Sequence, residues 1–428
     1  MMNFAESLDR VQRYARPRIK RLLRNLLRWH ADPRKRRGRR HKFAKMLEAL
    51  LSGLVANCPS LRDVETLSEH LKLGRRECKI ADTTLGHLLE KLDPAQILPV
   101  LVEQINDMEH RGELKPEGLP CGVATVDGKN LAMLQHHADG AGHLRIAPDE
   151  KSCWWLMPAL RSVLTSAAGK PAIGQWMQPP GHGEATEFVQ FFKWLVETYA
   201  RRGLIEIFDV DAGFTSRSNF ALVDAAGYGA VMGLKGNQPD LHEFATQTLE
   251  RLAKSEPAQA ETPWECQNGQ RIRRQLWRTD KGDNYLGWKN LRQIWLVRQT
   301  TTDKEGNVVH VEDRYFISNV LWNRLKPRQI LTLVRGHWGV ENDCFKSLDV
   351  QWKEDTKPWW TEGNAVQSLG IMRLMAYNLV QALRKRHVRV WTAKRWEPTP
   401  WRTIFEFMRL ALLNLAQLAA SQIANAPS

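Results

Sequence analysis

Apolar residues recur at helical spacing in the first quarter of the chain. Three segments have this spacing, and Ser60 and Asp82 stand where helix N-caps are expected. The segments lie at residues 43–58, 60–72 and 82–94. Three short helices over about fifty residues suit a helix-turn-helix-like unit and a plain helical bundle equally well. The pattern therefore predicts a small all-α region and leaves its packing open.

From residue 122 the pattern changes to short apolar runs that predict strands. Three predicted strands come first, and helices then alternate with further strands. The strands are predicted over 122–131, 154–167, 171–178, 204–212 and 228–236, and the helices over 184–202 and 216–227. This order predicts a mixed α/β sheet.

Residues 239–312 lack this alternation and contain strand candidates between polar turns, which predicts a β-rich insertion. Helical spacing returns at Pro327, and a strong helix is predicted over 364–386. The end of the chain reads as a loop over 390–402 and a closing helix over 404–420.

Composition narrows the class of protein. The 428 residues are 43% hydrophobic and 25% charged, which excludes disorder for most of the chain. The formal net charge is +15, and the first 45 residues hold sixteen Lys or Arg against three acids, a local net of +13. Such a concentration of positive charge favours a nucleic acid as partner.

A basic run within this region is the first candidate for nucleic-acid contact, and a solvated basic tail is the alternative. Its candidate side chains are Arg34, Lys35, Arg36, Arg37, Arg39 and Arg40. The six cysteines form no CxxC pair and no zinc-like spacing, so reduced, buried thiols are expected. Because the chain has neither a long apolar run nor a signal-peptide pattern, we expect a cytoplasmic protein.

Three acids stand out by their position on predicted elements. Asp127 and Asp211 come at the ends of two predicted strands, and Glu341 lies one helical turn after His337. Carboxylates from strand ends and a helix are the oxygen ligands that a two-Mg²⁺ phosphoryl-transfer site needs. An Asp at a strand end is more often a turn or helix cap, so position alone is weak evidence.

Several motifs together resemble bacterial insertion-sequence transposases of the Asp-Asp-Glu (DDE) superfamily. The matching segments are VDGKNL (126–131), DAGFTSRSNF (211–220), GYGAVMGLKGNQPDLHE (227–243), RYFISNV (314–320) and RGHWGVEN (335–342). The resemblance covers roughly residues 34–380 in order, and the His-Trp-x-Val-Glu-Asn motif places the chain near a branch with a β-rich insertion before the Glu.

This resemblance implies a ribonuclease-H-like fold and assigns the catalytic, metal-binding acids to Asp127, Asp211 and Glu341. The separations of 84 and 130 residues between these acids fit the family. Asp209 is a rival for the second acid, but DAGF matches the family turn and favours Asp211. The implied cofactor is Mg²⁺, two ions per site, for which Mn²⁺ can substitute.

The implied partner is double-stranded DNA, both element ends and target, bound by a dimer in the nucleoid, with no membrane and no small-molecule cofactor. Further candidate DNA contacts are Lys129, His337, Asn342 and Lys346. Structural alternatives for them are a surface Lys, a packing His and ordinary helix-surface polarity. The family's Tyr, Arg and Lys around the Glu align here with Val334, His337 and Leu348.

The predicted architecture is α/β, a ribonuclease-H-like mixed sheet with a β-rich insertion, preceded by a small all-α domain. Its predicted parts are a basic arm (1–42), a helical N-terminal domain (43–115), a catalytic core (120–238 and 313–385), a β-rich insertion (239–312) and a C-terminal helical segment (386–428). The expected function is DNA transposition by Mg²⁺-dependent cleavage and strand transfer. A nuclease of the same fold and a non-catalytic DNA-binding protein are the alternatives.

Overall fold

A computed structural model describes residues 4–37, 39–71, 79–138, 143–146, 153–267, 269–392 and 395–413. The N-terminal helices are α1 (Phe4–Trp29), α2 (Phe43–Val55), α3 (Leu61–His70), α4 (Asp82–Leu89) and α5 (Pro94–His110). As predicted, Ser60 caps α3 by accepting a hydrogen bond from the backbone of Asp63. Asp82 is the first residue of α4, and Ala81 occupies the N-cap position predicted for Asp82.

Four strands come first in the central region, where the sequence predicts three, and helices then alternate with strands as predicted. They are β1 (Val123–Leu134), β2 (His143–Ile146), β3 (Cys153–Leu164), β4 (Ala172–Met177), α6 (Glu184–Tyr199), β5 (Ile207–Val210), α7 (Arg217–Ala225) and β6 (Gly229–Leu234). The next elements are α8 (Pro239–Ser255), β7 (Ala260–Glu261), β8 (Glu265–Gln267), β9 (Gln270–Thr279), β10 (Gln293–Thr302) and β11 (Val308–Ser318). The last are α9 (Pro327–Gly339), α10 (Lys346–Trp352), α11 (Ala365–Ala382), β12 (Arg389–Thr392), β13 (Arg395–Pro398) and α12 (Trp401–Leu413).

Within the described residues, β1–β11 form one mixed sheet in the order β2-β3-β1-β5-β6-β11-β10-β9-β7, with β4 beside β3 and β8 beside β9. The pairs β1–β5 and β5–β6 are parallel, and the neighbouring pairs β1–β3 and β6–β11 are antiparallel. On one face of the sheet α9 packs over Val123, Ile207 and Val231. On the other face α6 packs over Val126 and Phe208.

Residues 4–29 differ from the predicted basic arm, because they form the packed helix α1. Its buried Leu8, Val11, Ala15, Leu22 and Leu26 follow a spacing of three, four and seven residues, which places them on one face. That face packs against α5, α2 and α12. The positive charge counted in the sequence includes the polar side of this helix. The apolar stripe on its other side packs the helix against the rest of the protein.

The N-terminal helices form a bundle together with α11 and α12, and their apolar residues join one continuous core. The helices predicted over residues 43–94 therefore pack against helices from the far end of the chain. The bundle takes helices from both ends of the chain, so the predicted N-terminal and C-terminal parts share one hydrophobic core.

The predicted β-rich insertion differs from the structure in two ways. Residues 239–255 form α8, whose buried Leu241, Ala245 and Leu249 recur every four residues. In addition, β11 pairs with β6, so β9–β11 extend the central sheet as a continuous part of it.

Two smaller expectations also change. The predicted loop over 390–402 contains the β12–β13 hairpin. Cys58, Cys121 and Cys344 are buried free thiols as expected, whereas Cys153 and Cys266 are exposed. Cys78, residues 1–3 and the predicted helix beyond residue 413 lie outside the described residues. No described helix combines the length and apolar character needed to cross a membrane.

Candidate active site

Two of the predicted acids are brought side by side by the parallel pairing of β1 and β5. Val126 lies opposite Val210 in this register, so the next residues, Asp127 and Asp211, are neighbours at the carboxyl end of β5. Asp211 directly follows its strand, as predicted. Asp127 instead lies within β1, because β1 continues to Leu134 along its antiparallel partner β3.

The third acid lies on an irregular helical segment. After α9 the chain continues as a π-helical segment, Val340–Phe345, before α10 begins. Val340, Cys344 and Phe345 are buried, while Glu341 is exposed. Glu341, Asp127 and Asp211 line the same cavity of about 360 Å³. Such widened turns occur frequently at functional sites, because the extra residue per turn re-aims a side chain.

His337 pairs with a buried acid below the cavity. Its Nδ1 lies 3.0 Å from Oδ2 of Asp209, which also accepts a hydrogen bond of 3.1 Å from Thr125. Burial lowers the pKa of His337, but Asp209, Asp127 and Asp211 together raise that pKa to about 9. The imidazole is therefore a cation at neutral pH. Of the two candidates for the second acid, Asp211 lines the cavity, whereas Asp209 lies beneath it and pairs with His337.

Asp127 is the acid whose protonation is most affected by the site. Burial raises its pKa to about 6. His337 and the N–H of Gly128, which donates to Asp127 Oδ1 at 2.8 Å, oppose this rise, whereas the negative charges of Glu341 and Asp211 add to it. These carboxylates repel one another, and a bound cation would relieve that repulsion.

A fourth carboxylate, Glu184, escaped the sequence analysis. It is the first residue of α6 and lies against Gly128, where an added Cβ would overlap its carboxylate. Burial and the charge of Asp211 raise the pKa of Glu184. No motif marks this residue, because only the packing of α6 over the sheet brings it to the site.

The donors in and around the cavity suit a hard divalent cation, since they are carboxylate oxygens. Asp127, Asp211 and Glu341 line the cavity, and Glu184 lies beside them. Glu312 and Asp313 also line the cavity, but they pair with Arg314 and Arg298. Across the residues that the structure describes, no three His, Cys, Asp or Glu side chains are arranged as a ready-made metal site. The residues thus fit the chemistry of a divalent cation without forming a closed coordination shell.

The predicted DNA contacts near the site occupy different environments. The side chain of Lys129 is 6% exposed, and its Nζ lies 2.5 Å from Asp349. Asn342 is exposed and donates to the carbonyl of Trp338 at 3.0 Å, while Lys346 is exposed at the start of α10. Lys129 is therefore held inside the fold, and the other two face solvent.

In the basic run, Arg34 is held inside while its neighbours are exposed. Arg34 donates to Asp32 at 2.9 Å and to the carbonyl of His41 at 2.8 Å. The exposed residues are Lys35, Arg36, Arg37, Arg39 and Arg40. Of these, Arg39 also lies 3.4 Å from Asp32.

Acids of the helical bundle balance part of the charge on α1. Arg18 pairs with Glu113 at 2.8 Å and Arg21 with Asp107 at 2.8 Å. Arg28 forms a further ion pair with Glu103. These contacts hold α1 against α5 and its C-terminal turn, so part of the positive charge counted in the sequence serves packing.

Aromatic side chains at the cavity were also missed by the sequence analysis. Trp338 lines the cavity, and the guanidinium of Arg314 lies 4.0 Å from the centre of its ring. By contrast, Trp277, Trp288 and Trp295 in the region of the predicted insertion are buried in the core.

Comparison with protein families places this site in a known context. Residues 177–379 match the family model of the transposase DDE domain, a range that includes Asp211 and Glu341 and begins after Asp127. No curated protein matches the chain. The large mixed sheet with flanking helices is consistent with a ribonuclease-H-like DDE fold. Residues 177–379 are therefore similar to the DDE domain of transposases.

Proposed function

We propose that the chain is a DNA transposase that cleaves strands at the ends of an insertion sequence and joins them to target DNA. One observation carries this proposal. Asp127, Asp211 and Glu341 are widely separated in sequence, yet they line one cavity, and two of them lie in the range that matches the DDE domain. Oxygen donors converging on an open cavity suit phosphoryl transfer.

In this proposal Asp127, Asp211 and Glu341 hold two Mg²⁺ ions, or Mn²⁺ in their place. Divalent cations bound there supply Lewis-acid polarisation of the phosphate and of the attacking oxygen. Because the pKa of Asp127 is about 6, its carboxylate is mostly ionised at neutral pH and able to bind a cation.

His337 contributes positive charge from the protein itself. Its ring lines the same cavity, and Asp209 fixes its orientation through Nδ1. A cation at this position would offset the charge of a DNA phosphate, the role that the resemblance assigns to the aligned position. Asn342, Lys346 and the exposed residues of the basic run (35–37, 39 and 40) would add further DNA contacts from the surface.

The proposed reaction has two chemical steps. Water attacks the phosphorus at the element end, the P–O3′ bond breaks, and the departing 3′ oxygen takes up a proton. The freed 3′-OH then loses its proton and attacks a phosphorus of the target, whose own P–O3′ bond breaks. Neither step needs a covalent protein intermediate. Two element ends react together, so we propose a dimer on DNA.

A joining assay tests this function. Labelled linear DNA carrying the element's ends would be incubated with a target plasmid and Mg²⁺ or Mn²⁺, using wild type, Asp127→Ala and Glu341→Ala. Glu197→Ala, an exposed acid on α6, is the matched control. We expect joined product with wild type and the control alone.

The other outcomes separate the alternatives. Cleavage without joining would favour a nuclease of the same fold. DNA binding with neither reaction would favour a non-catalytic DNA-binding protein. Unchanged joining by Glu341→Ala would remove this residue from the site.

A further inference from the structure

A second concave surface, here called the basic cleft, lies where the helical bundle meets the end of α11. It is a cavity of about 780 Å³. The basic residues that line it are Arg18, Arg111, Lys385, Arg386, His387 and Arg389. They come from α1, the end of α5, the π-helical segment Leu383–His387 and β12, so only the folded chain assembles them.

The charges of the basic cleft do not cancel. Five Lys or Arg face two acids, Glu113 and Glu117, which leaves a formal net of +3 with His neutral. Arg18 makes a close pair with Glu113, but Arg386 lies 3.8 Å from Glu117 and Lys385 lies 3.9 Å from Asp343. At these longer separations the two cations retain hydrogen-bonding capacity for another anion.

Partial burial strengthens the field of these cations. The side chains of Lys385 and Arg386 are 19% and 25% exposed, so protein of low dielectric constant borders them on several sides. Burial lowers the pKa of Lys385, while Asp343 raises it. A phosphate in the cleft would add negative charge to these partly buried groups beyond that of Glu117 and Asp343.

An ion pair through Asp343 links the basic cleft to the helical segment that carries Glu341. This acid lies two residues after Glu341 on the same π-helical segment, and it binds Lys170 at 2.5 Å and Lys385 at 3.9 Å. Duplex DNA carries a charge about every 1.7 Å along its axis, so a duplex held at the catalytic cavity presents many further phosphates beside it.

We propose that the basic cleft binds the phosphate backbone of duplex DNA. The identification of the anion as DNA rests on the proposed function, since Lys385 of the cleft pairs with Asp343 on the segment that carries Glu341. The contacts are to phosphates, so they add affinity at any sequence and help hold the duplex while its cleavage site lies at the carboxylates.

Salt dependence of binding tests the proposal without relying on catalysis. Fluorescence anisotropy would follow a labelled random-sequence duplex at several salt concentrations, without divalent cation, for wild type and the double variant Lys385→Gln/Arg386→Gln. Each phosphate contact contributes about 0.9 to the slope of log K against log salt. We therefore expect the slope to fall in magnitude by about 1.8 in the double variant.

Two control variants test whether weaker binding comes from a general loss of positive charge or from misfolding. Lys193→Gln/Lys254→Gln removes the same charge from exposed positions on α6 and α8 that contribute nothing to the cleft, and its slope should stay near that of wild type. Lys385→Arg/Arg386→Lys keeps the charge and should also bind like wild type. If this swap variant binds normally while the Gln variant is weakened, misfolding does not explain the loss.

An unchanged slope in Lys385→Gln/Arg386→Gln would overturn the proposal, as would equal losses in the cleft and control variants. Preference for duplex RNA over duplex DNA would overturn the choice of partner. A different result would overturn the proposed transposase function while leaving the basic cleft in place. If wild type binds DNA through the cleft but never joins strands, the cleft stands and the catalytic proposal falls.

Discussion

Replacing Glu354 by Gln should destabilise the protein more than replacing either of the two arginines beside it. Glu354 is fully buried and accepts hydrogen bonds of 2.6 and 2.8 Å from Arg161, which also donates to Gln175. Burial alone would raise the pKa of Glu354, but Arg161 holds it below its usual range. Arg373 is buried next to them, and no described residue is a hydrogen-bond partner of its three guanidinium nitrogens.

The expected change in the free energy of unfolding depends on which buried charge each substitution leaves without a partner. Removing one partner of a buried ion pair costs about 3–5 kcal/mol. Glu354→Gln leaves two buried arginines without their counter-charge, so we expect the upper end, about 5 kcal/mol. Arg161→Met leaves Glu354 beside Arg373 and should cost about 3 kcal/mol. Arg373→Met removes a charge that lacks hydrogen bonds, and should range from neutral to about 2 kcal/mol stabilising.

Urea unfolding followed by tryptophan fluorescence would measure these free energies, with Glu197→Gln on the surface of α6 as control. If Arg373→Met destabilises as much as Glu354→Gln, the three side chains do not share charge as described. The arrangement also bears on the site, because Arg161 lies opposite Asp127 across β1 and β3.

Three further predictions concern the site. Gly128→Ala should impair joining with little loss of stability, since its Cβ would push aside the flexible carboxylate end of Glu184. Gly236→Ala has open space and should leave joining unchanged, so equal joining by the two variants would contradict this. Burial raises the pKa of Asp127 from 3.8 to about 6, so the folded protein holds this proton more tightly than the unfolded chain does. The stability that the bound proton provides is complete below pH 3.8 and is lost as the pH rises through 6. Asp127→Asn should therefore stabilise the metal-free protein at pH 8 by about 3 kcal/mol but not at pH 4, and thermal melts at both values would check this. Lys129→Met should lower the melting temperature and leave the DNA salt slope unchanged, because the ammonium is held by Asp349; a slope smaller by about 0.9 would instead reveal a phosphate contact.

Local periodicity was sufficient to predict most elements of the central sheet and their order. The strands β1, β3, β4, β5 and β6 and the helices α6 and α7 appear where alternating and helical patterns predict them. These patterns report which face of an element is buried, and that information is contained within each segment. The helix α8 was missed because its three buried positions are few and lie among many polar residues.

The candidate acids were predictable for a related reason. Asp127, Asp211 and Glu341 belong to short motifs, and these motifs could be read without knowing how the strands pair. The motifs could not show that β1 continues past Asp127, that α9 passes into a π-helical segment, or that Asp209 pairs with His337.

The sequence by itself thus determined the local elements, the overall charge and the identity of the candidate acids. Tertiary structure alone decided that α1 packs into the helical bundle, that Glu184 joins the site and that Arg18 and Lys385 line one basic cleft. Each of these features depends on contacts between segments far apart in the chain. Burial and charge pairing at such contacts depend on the surroundings in space, which no local pattern of residues contains.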